Sequence, residues 1–375
     1  MHPRISDGDA VAKRNPIARK KFVEYGTERL VALCDAIGGR GDGQPDPLVG
    51  VFQRLVRPWG GRRVGARPKY RSSIADDGAP FEFAIAISHG TPEVQVYVEA
   101  QGDLPTLRSN MAAGRVLLED VASDLGAPLD RLRQVESIFF PDDPHPPFTV
   151  WIGASCTAGR LRLLKIYLNP QVRGADLGLD LVAEAMARLG FARAWTTVRQ
   201  HLSSGGDRRD EAGIVSLDLS NAEDARVKVY LRHHQATVTD LDAIARLARS
   251  YHPGDAATFY AAAAEHEGPY RGKPALTELA FVDPDAAWPA SVTLEFPVGS
   301  HVATDEIASQ RIVRCLAAFG LPSPPYLQAI RAFATRPLER GPGIHAHVTM
   351  TRAASGPRVG VYLASEAYHP ERVVP

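Results

Sequence analysis

The 375-residue chain carries 43 basic and 43 acidic residues, so no global field draws it to nucleic acid or to a charged membrane surface. Only seven of its basic residues are lysines, which makes the position of each one informative. Cys34, Cys156 and Cys315 are too far apart for a disulfide framework or zinc spacing. With no apolar run near the roughly 18 residues of a membrane span and no apolar signal core at the start, the expectation is a cytoplasmic protein.

In chain order, helical spacing of apolar residues predicts an N-terminal helix within 9–37, then Gly/Pro-rich loop over 38–80 around one short helix at 47–57. The GGRGDG in that loop has neither Walker nor dinucleotide-fingerprint spacing. Five strand pairs follow, at 80–88 with 93–99, 148–156 with 161–168, 214–219 with 226–231, 275–282 with 291–297, and 344–351 with 358–364. Turn chemistry joins them, as in His89-Gly90-Thr91-Pro92 and Ser355-Gly356-Pro357. Helical stretches at 104–136, 176–191, 239–267 and 303–335 separate the hairpins. Thr304 or Asp305 is expected to cap the last of these, with Gly320 ending its first helix.

The second strand of each pair is one repeated motif. Its copies are Gln95-Val96-Tyr97-Val98, Lys165-Ile166-Tyr167-Leu168, Lys228-Val229-Tyr230-Leu231, Thr293-Leu294-Glu295-Phe296 and Gly360-Val361-Tyr362-Leu363. Their third positions lie 70, 63, 65 and 67 residues apart, the period of a supersecondary unit copied five times. Ten antiparallel strands, each with one apolar face, must cover that face and dispose of their edges, and closure into a helix-wrapped barrel does both. The expectation is therefore an α+β fold with one domain over 1–375: an N-terminal segment at 1–79 and five hairpin repeats at 80–370.

Residues two apart in a strand share a face. That parity turns Phe81, Phe83 and Ile85 out to the helices and Glu82 into the lumen, together with Trp151, Lys165, Tyr167, Arg226, Lys228, Tyr230, Arg358 and Tyr362. It also aligns His345 and His347 with Thr349. Clustered cations bind a diphosphate through charge-assisted hydrogen bonds, and tyrosine faces stabilise a carbocation. A substrate that ionises to an allylic cation and diphosphate needs both, shielded from water. Glu82 is then placed to orient an electron-rich aromatic acceptor. His345-Ala346-His347 has metal-like spacing, and His233-His234 adds two imidazoles, but no third ligand cluster accompanies them. Asp142-Asp143 lacks the further aspartate used by magnesium-dependent prenyl enzymes.

From about residue 75 to 370 the chain resembles the dimethylallyl tryptophan synthase family of aromatic prenyltransferases, especially its shorter bacterial members. The resemblance rests on Pro80-Phe81-Glu82-Phe83, Phe139-Phe140-Pro141, Lys165-Ile166-Tyr167-Leu168-Asn169-Pro170, Arg226-Val227-Lys228-Val229-Tyr230-Leu231, Gly272-Lys273-Pro274-Ala275-Leu276-Thr277 and Val361-Tyr362-Leu363. It implies the αββα barrel and metal-independent transfer of a prenyl group from dimethylallyl diphosphate to an indole, most simply tryptophan. By the family pattern Glu82 holds the indole N–H, Lys165, Arg226 and Lys228 bind diphosphate, and Tyr167, Tyr230 and Tyr362 shield the cation.

The chain departs from the pattern in three places. Gln95 stands among the diphosphate ligands where many members carry arginine. Thr293 and Glu295 replace a glutamine and a tyrosine of fungal members, and are assigned with Trp151 to the acceptor pocket. No lysine occurs in 148–159, so the base is left open among Glu82, Glu295, a histidine and water. No cofactor or metal is expected, and the expected partners are small molecules rather than nucleic acid or membrane. The competing readings are a cyclic dipeptide, modified tryptophan or phenol as acceptor, a longer prenyl donor, or a non-catalytic barrel that binds an anionic small molecule.

Overall fold

The computed structural model describes residues 16–37, 46–203, 205, 209–353 and 355–368. The GGRGDG loop and the start of the expected 9–37 helix lie outside them. Ten strands form a closed barrel in which every neighbouring pair is antiparallel. They are β1 (Phe81–Ile87), β2 (Glu93–Glu99), β3 (Val150–Thr157), β4 (Arg160–Leu168), β5 (Arg209–Asp218), β6 (Val227–His234), β7 (Ala275–Phe281), β8 (Ser291–Phe296), β9 (His345–Ala353) and β10 (Gly356–Ala364). β1 pairs with β10 to close the circle. All five expected hairpins form, and no strand of the barrel is left with an open edge.

The helices are α1 (Phe22–Ile37), α2 (Pro47–Val56), α3 (Leu107–Leu125), α4 (Asp130–Phe139), α5 (Gly178–Arg188), α6 (Ala192–Arg199), α7 (Val238–Ala245), α8 (Asp255–Ala263), α9 (Asp305–Ala318) and α10 (Pro324–Phe333). They pack on the outward strand faces. Phe81 meets Phe52 of α2 edge-on at 5.5 Å, and Phe83 meets Phe333 of α10 at 5.7 Å. The helical stretches 104–136 and 239–267 each break in two, and α6 follows the stretch expected to end at 191. Gly126, at φ 65°, takes the left-handed turn that stops α3. Thr304 caps α9, its hydroxyl accepting from the Ile307 N–H at 3.3 Å, and Gly320 at φ 69° follows the helix end. None of the helices described is long and apolar enough to cross a membrane.

Two strand details differ from expectation and matter for the lumen. β5 starts at Arg209 and carries an irregularity between Ala212 and Ile214. β9 shifts register against β10 between the pairs Val361–Val348 and Leu363–His345, and the extra residue reverses parity beyond it. His345 therefore turns out to the helices instead of aligning with His347. It is fully buried between Asp305 of α9, 2.9 Å from Nδ1, and Tyr326 of α10, 2.8 Å from Nε2. His233 is enclosed in the same way, between Asp210 at 2.7 Å and the Thr277 hydroxyl at 2.8 Å. Both imidazoles serve as struts outside the lumen, with each ring nitrogen satisfied.

Candidate active site

Small residues make room inside the barrel. Ala84 and Ala86 of β1 and Gly360 of β10 face the lumen beside long side chains. Gly153 of β3 pairs with Tyr97 and with Lys165, and a Cβ there would sit 3.0 Å from both the Tyr97 and Tyr167 rings. Its missing side chain lets those rings approach edge-on at 5.6 Å. Tyr362 stacks on Tyr97 at 5.6 Å and Tyr230 lies 6.2 Å from Tyr167. The four tyrosines form a belt across the lumen, and all four line the cavities on both sides of it. Burial raises each phenol's pKa well above its usual value, so the belt stays neutral.

On one side is a polar chamber lined by Gln95, Lys165, Arg226, Lys228, Glu278, Thr293, Thr349, Thr351 and Arg358. Lys165, Arg226, Lys228 and Gln95 are thus together, as the repeat led one to expect. Their counter-charges were not foreseen. Lys228 is hydrogen-bonded to Glu278, Arg226 lies 2.7 Å from Asp218, and Arg358 lies 2.6 Å from Glu93. Burial opposes ionisation of Glu278, but the adjoining Lys228 and Lys165 hold its pKa down at about 2. Lys165 makes no ion pair among the described residues. Burial, with Lys228 and Arg226 adding repulsion, lowers its pKa to about 7. Gln95 accepts from the Tyr97 hydroxyl and donates to Glu93 at 2.5 Å.

On the other side of the belt is a roomier chamber lined by Glu82, Trp151, Ile214, Arg232, Leu276, Glu295 and His347, with Ser73, Ile74, Asp76, Lys273 and Pro274 at its rim. Glu82 is 7% exposed. Burial and the neighbouring charges of Asp76 and Glu295 raise its pKa well above the usual carboxylate range, against a smaller opposing pull from Lys273. Trp151 stacks on Phe148 at 4.0 Å, and its Nε1 is buried with no hydrogen-bond partner among the described residues. His347 Nδ1 lies 2.6 Å from Glu295. Arg232 is held by Glu211 at 2.9 Å, and Lys273 by Asp76 at 2.6 Å. The irregular segment before β1 is pinned over this end by Ser72 donating to Glu99 and Ser73 donating to the Pro147 carbonyl at 3.2 Å.

Glu82, Trp151 and Glu295 therefore gather in one chamber, while Thr293 departs from the expected grouping. It lines the polar chamber, its hydroxyl 3.3 Å from Glu278. One residue, Leu294, separates it from Glu295 along the strand, one full lumenal step, and that step spans the belt. Of the residues missed from sequence, Asp218, Glu278 and Arg232 lie on the lumenal parity of strands already recognised. Tyr97 belongs to the repeat but was not assigned to the shield. Asp76 lies in irregular backbone with no periodic signal.

A tyrosine partition with cations on one side and a half-apolar chamber on the other suits ionisation of a prenyl diphosphate beside an aromatic ring, and this class, the aromatic prenyltransferases, is the one the helix-wrapped ten-strand barrel defines. The tryptophan dimethylallyltransferase family matches residues 47–256, more than half of the chain. The chain is similar over 94% of its length, and over 99% of the other chain, to 6-dimethylallyltryptophan synthase from Micromonospora olivasterospora, solved with DMASPP and Trp, at 30% identity and a TM-score of 0.86. It resembles 5-dimethylallyl tryptophan synthase from Streptomyces coelicolor, also solved with DMASPP and Trp, at 27% identity and a TM-score of 0.85, covering 95% of this chain and 98% of that one. PriB, solved with product diphosphate, aligns at 29% identity and a TM-score of 0.85 over 95% of this chain and 100% of its own. The protein belongs to the tryptophan dimethylallyltransferase family.

Proposed function

We propose that the protein moves the dimethylallyl group of dimethylallyl diphosphate to the indole ring of L-tryptophan, without a metal ion. The observation that carries this reading is the tyrosine belt dividing a cation-lined chamber from one that holds Glu82. Relatives solved with a donor analogue and Trp support the substrate pair, and PriB with diphosphate supports the leaving group.

Lys165, Arg226 and Lys228, with Gln95 and Arg358 beside them, bind the diphosphate and take up the charge that grows as the C–O bond breaks. Tyr97, Tyr167, Tyr230 and Tyr362 face the allyl fragment and keep water from it. In the wider chamber a Glu82 carboxyl oxygen accepts the indole N–H and orients the ring towards the belt. Trp151 packs the indole, and Arg232 and Lys273 at the rim suit the amino-acid carboxylate. The ring's π electrons form the new C–C bond, diphosphate leaves with the C–O pair, and loss of a ring proton restores aromaticity. Among the described residues no group of three or more His, Cys, Asp or Glu is arranged to hold an ion. A cytoplasmic setting fits substrates of this kind.

The test is mass spectrometry of EDTA-treated protein with dimethylallyl diphosphate and L-tryptophan. The expected product is tryptophan carrying one dimethylallyl unit. Product only after magnesium is restored, or only with a phenol or a longer donor, overturns the reading at that point.

A further inference from the structure

The transfer leaves a ring carbon bearing both the new prenyl group and its original hydrogen, and some group must take that proton. Most of the chamber's candidates are otherwise committed. Lys273 is committed to Asp76 at 2.6 Å. Arg232 cannot deprotonate. Glu82 is engaged by the indole N–H in the proposed acceptor pose. The diphosphate lies across the tyrosine belt, and no lysine stands on β3, where Gly153 occupies the lumenal position next to Trp151.

What remains is the adjoining pair His347 and Glu295, of which the imidazole is the group suited to taking and releasing a proton near neutral pH. Among the described residues His347 is the one imidazole lining the acceptor chamber. The bulge in β9 that sends its neighbour His345 outward leaves it pointing in. Its Nδ1 lies 2.6 Å from Glu295 on the adjacent strand, close but not aligned as a hydrogen bond, and Nε2 has no partner among the described residues. The groups facing it are Glu295 from β8, Tyr362 from β10 at 6.3 Å between ring centres, Glu82 from β1, Arg232 from β6, and Asp76 and Lys273 at the rim. The Glu295 carboxylate sets negative charge directly beside an imidazole that has to take up a proton.

We propose that His347, oriented by Glu295, is the base that removes the ring proton after the C–C bond has formed. The C–H bond breaks, its electron pair returns to the ring, and the proton goes to Nε2 and then to solvent. This rests on the proposed transfer to an aromatic ring. Glu295 is a positioning residue in this step.

The experiment compares ring-deuterated with ordinary tryptophan in wild type, His347→Gln, Glu295→Gln and His347→Gly. Diphosphate binding, which occurs on the far side of the belt, serves as the check that each variant is folded. In wild type, proton loss is fast and ring deuterium has little effect. His347→Gln should lose about 100-fold or more of turnover, as for a missing general base, and acquire a primary isotope effect. His347→Gly should behave alike and recover with added imidazole, and Glu295→Gln should fall about tenfold with a displaced pH profile. Wild-type-like rates in both His347 variants, or slow variants with neither an isotope effect nor imidazole rescue, overturn the assignment while leaving the prenyl transfer standing. No prenylated product from wild type overturns both.

Discussion

Lys228 and Glu278 are hydrogen-bonded across β6 and β7 in a chamber that also holds Lys165, Arg226 and Arg358. Lys228 is 5% exposed and Glu278 is 7% exposed. Cations gathered in one buried chamber repel one another, and the Glu278 carboxylate offsets that repulsion. Once diphosphate binds, the same carboxylate opposes it.

Glu278→Gln therefore has opposite effects on two measurements. Removing one partner of a buried pair costs on the order of 3–5 kcal/mol, so the empty variant should melt several degrees lower than wild type. Diphosphate should bind it more tightly and restore most of the lost melting temperature. Calorimetry and thermal melts with and without diphosphate check this, and equal destabilisation in both states contradicts it.

Lys165 gives the chamber a pH dependence. Its amine sits at about 7 in the empty site, and a bound diphosphate favours the protonated form. Binding at pH 8 should take up a proton, so the binding enthalpy will change with the ionisation heat of the buffer. Affinity should fall as pH rises above about 7. Lys165→Met should abolish the buffer dependence and weaken binding by about 10–100-fold, as for a lost hydrogen bond to a charged group.

The belt predicts a leak. Each tyrosine face is worth about 0.5–2 kcal/mol to a cation, and each ring also keeps water out. Tyr167→Ala or Tyr230→Ala should lower prenyl transfer and raise the fraction of donor released as prenyl alcohol. Phenylalanine at either position should retain most transfer. Chromatography of the alcohol against prenylated amino acid gives the ratio, and unchanged partitioning in the alanine variants removes the belt from the mechanism.

The segment that roofs the acceptor chamber has its own pH signature. Glu99 is fully buried, and that burial lifts its pKa to about 8, with the Ser72 hydroxyl and Thr149 N–H opposing. A carboxyl raised on folding gives stability that is complete below its unfolded value near 4.5 and declines as pH rises towards about 8. Urea denaturation should show that decline in wild type between pH 6 and 8.5. Glu99→Gln, which keeps the hydrogen-bonding shape without the titration, should make the decline shallower, and an unchanged slope contradicts the assignment.

Much of this site was legible because a strand's parity is strict. The tyrosines, Lys165, Lys228 and Glu82 could be placed on one surface from alternation alone, and ten edges with apolar backs left closure as the natural solution. Glu278, Asp218 and Arg232 obey the same alternation, but they lie on strands or strand ends over which the pattern had not been followed. His345 could not be read that way, because the bulge reversing it depends on how β9 meets β10 and leaves no mark in HAHVT. Thr293 was misplaced for a related reason: parity says which face a residue takes, not how far along the lumen the belt divides it. Asp76 and its loop are held by single hydrogen bonds to distant residues, which no local pattern encodes.

The most direct measurement is a crystal structure with L-tryptophan and a non-hydrolysable thiolodiphosphate analogue of the donor. The account predicts diphosphate among Lys165, Arg226 and Lys228, the allyl carbon within the ring of Tyr97, Tyr167, Tyr230 and Tyr362, and the indole N–H on Glu82. Diphosphate bound in the Glu82 chamber, or an indole seated on the lysine side of the belt, would contradict it.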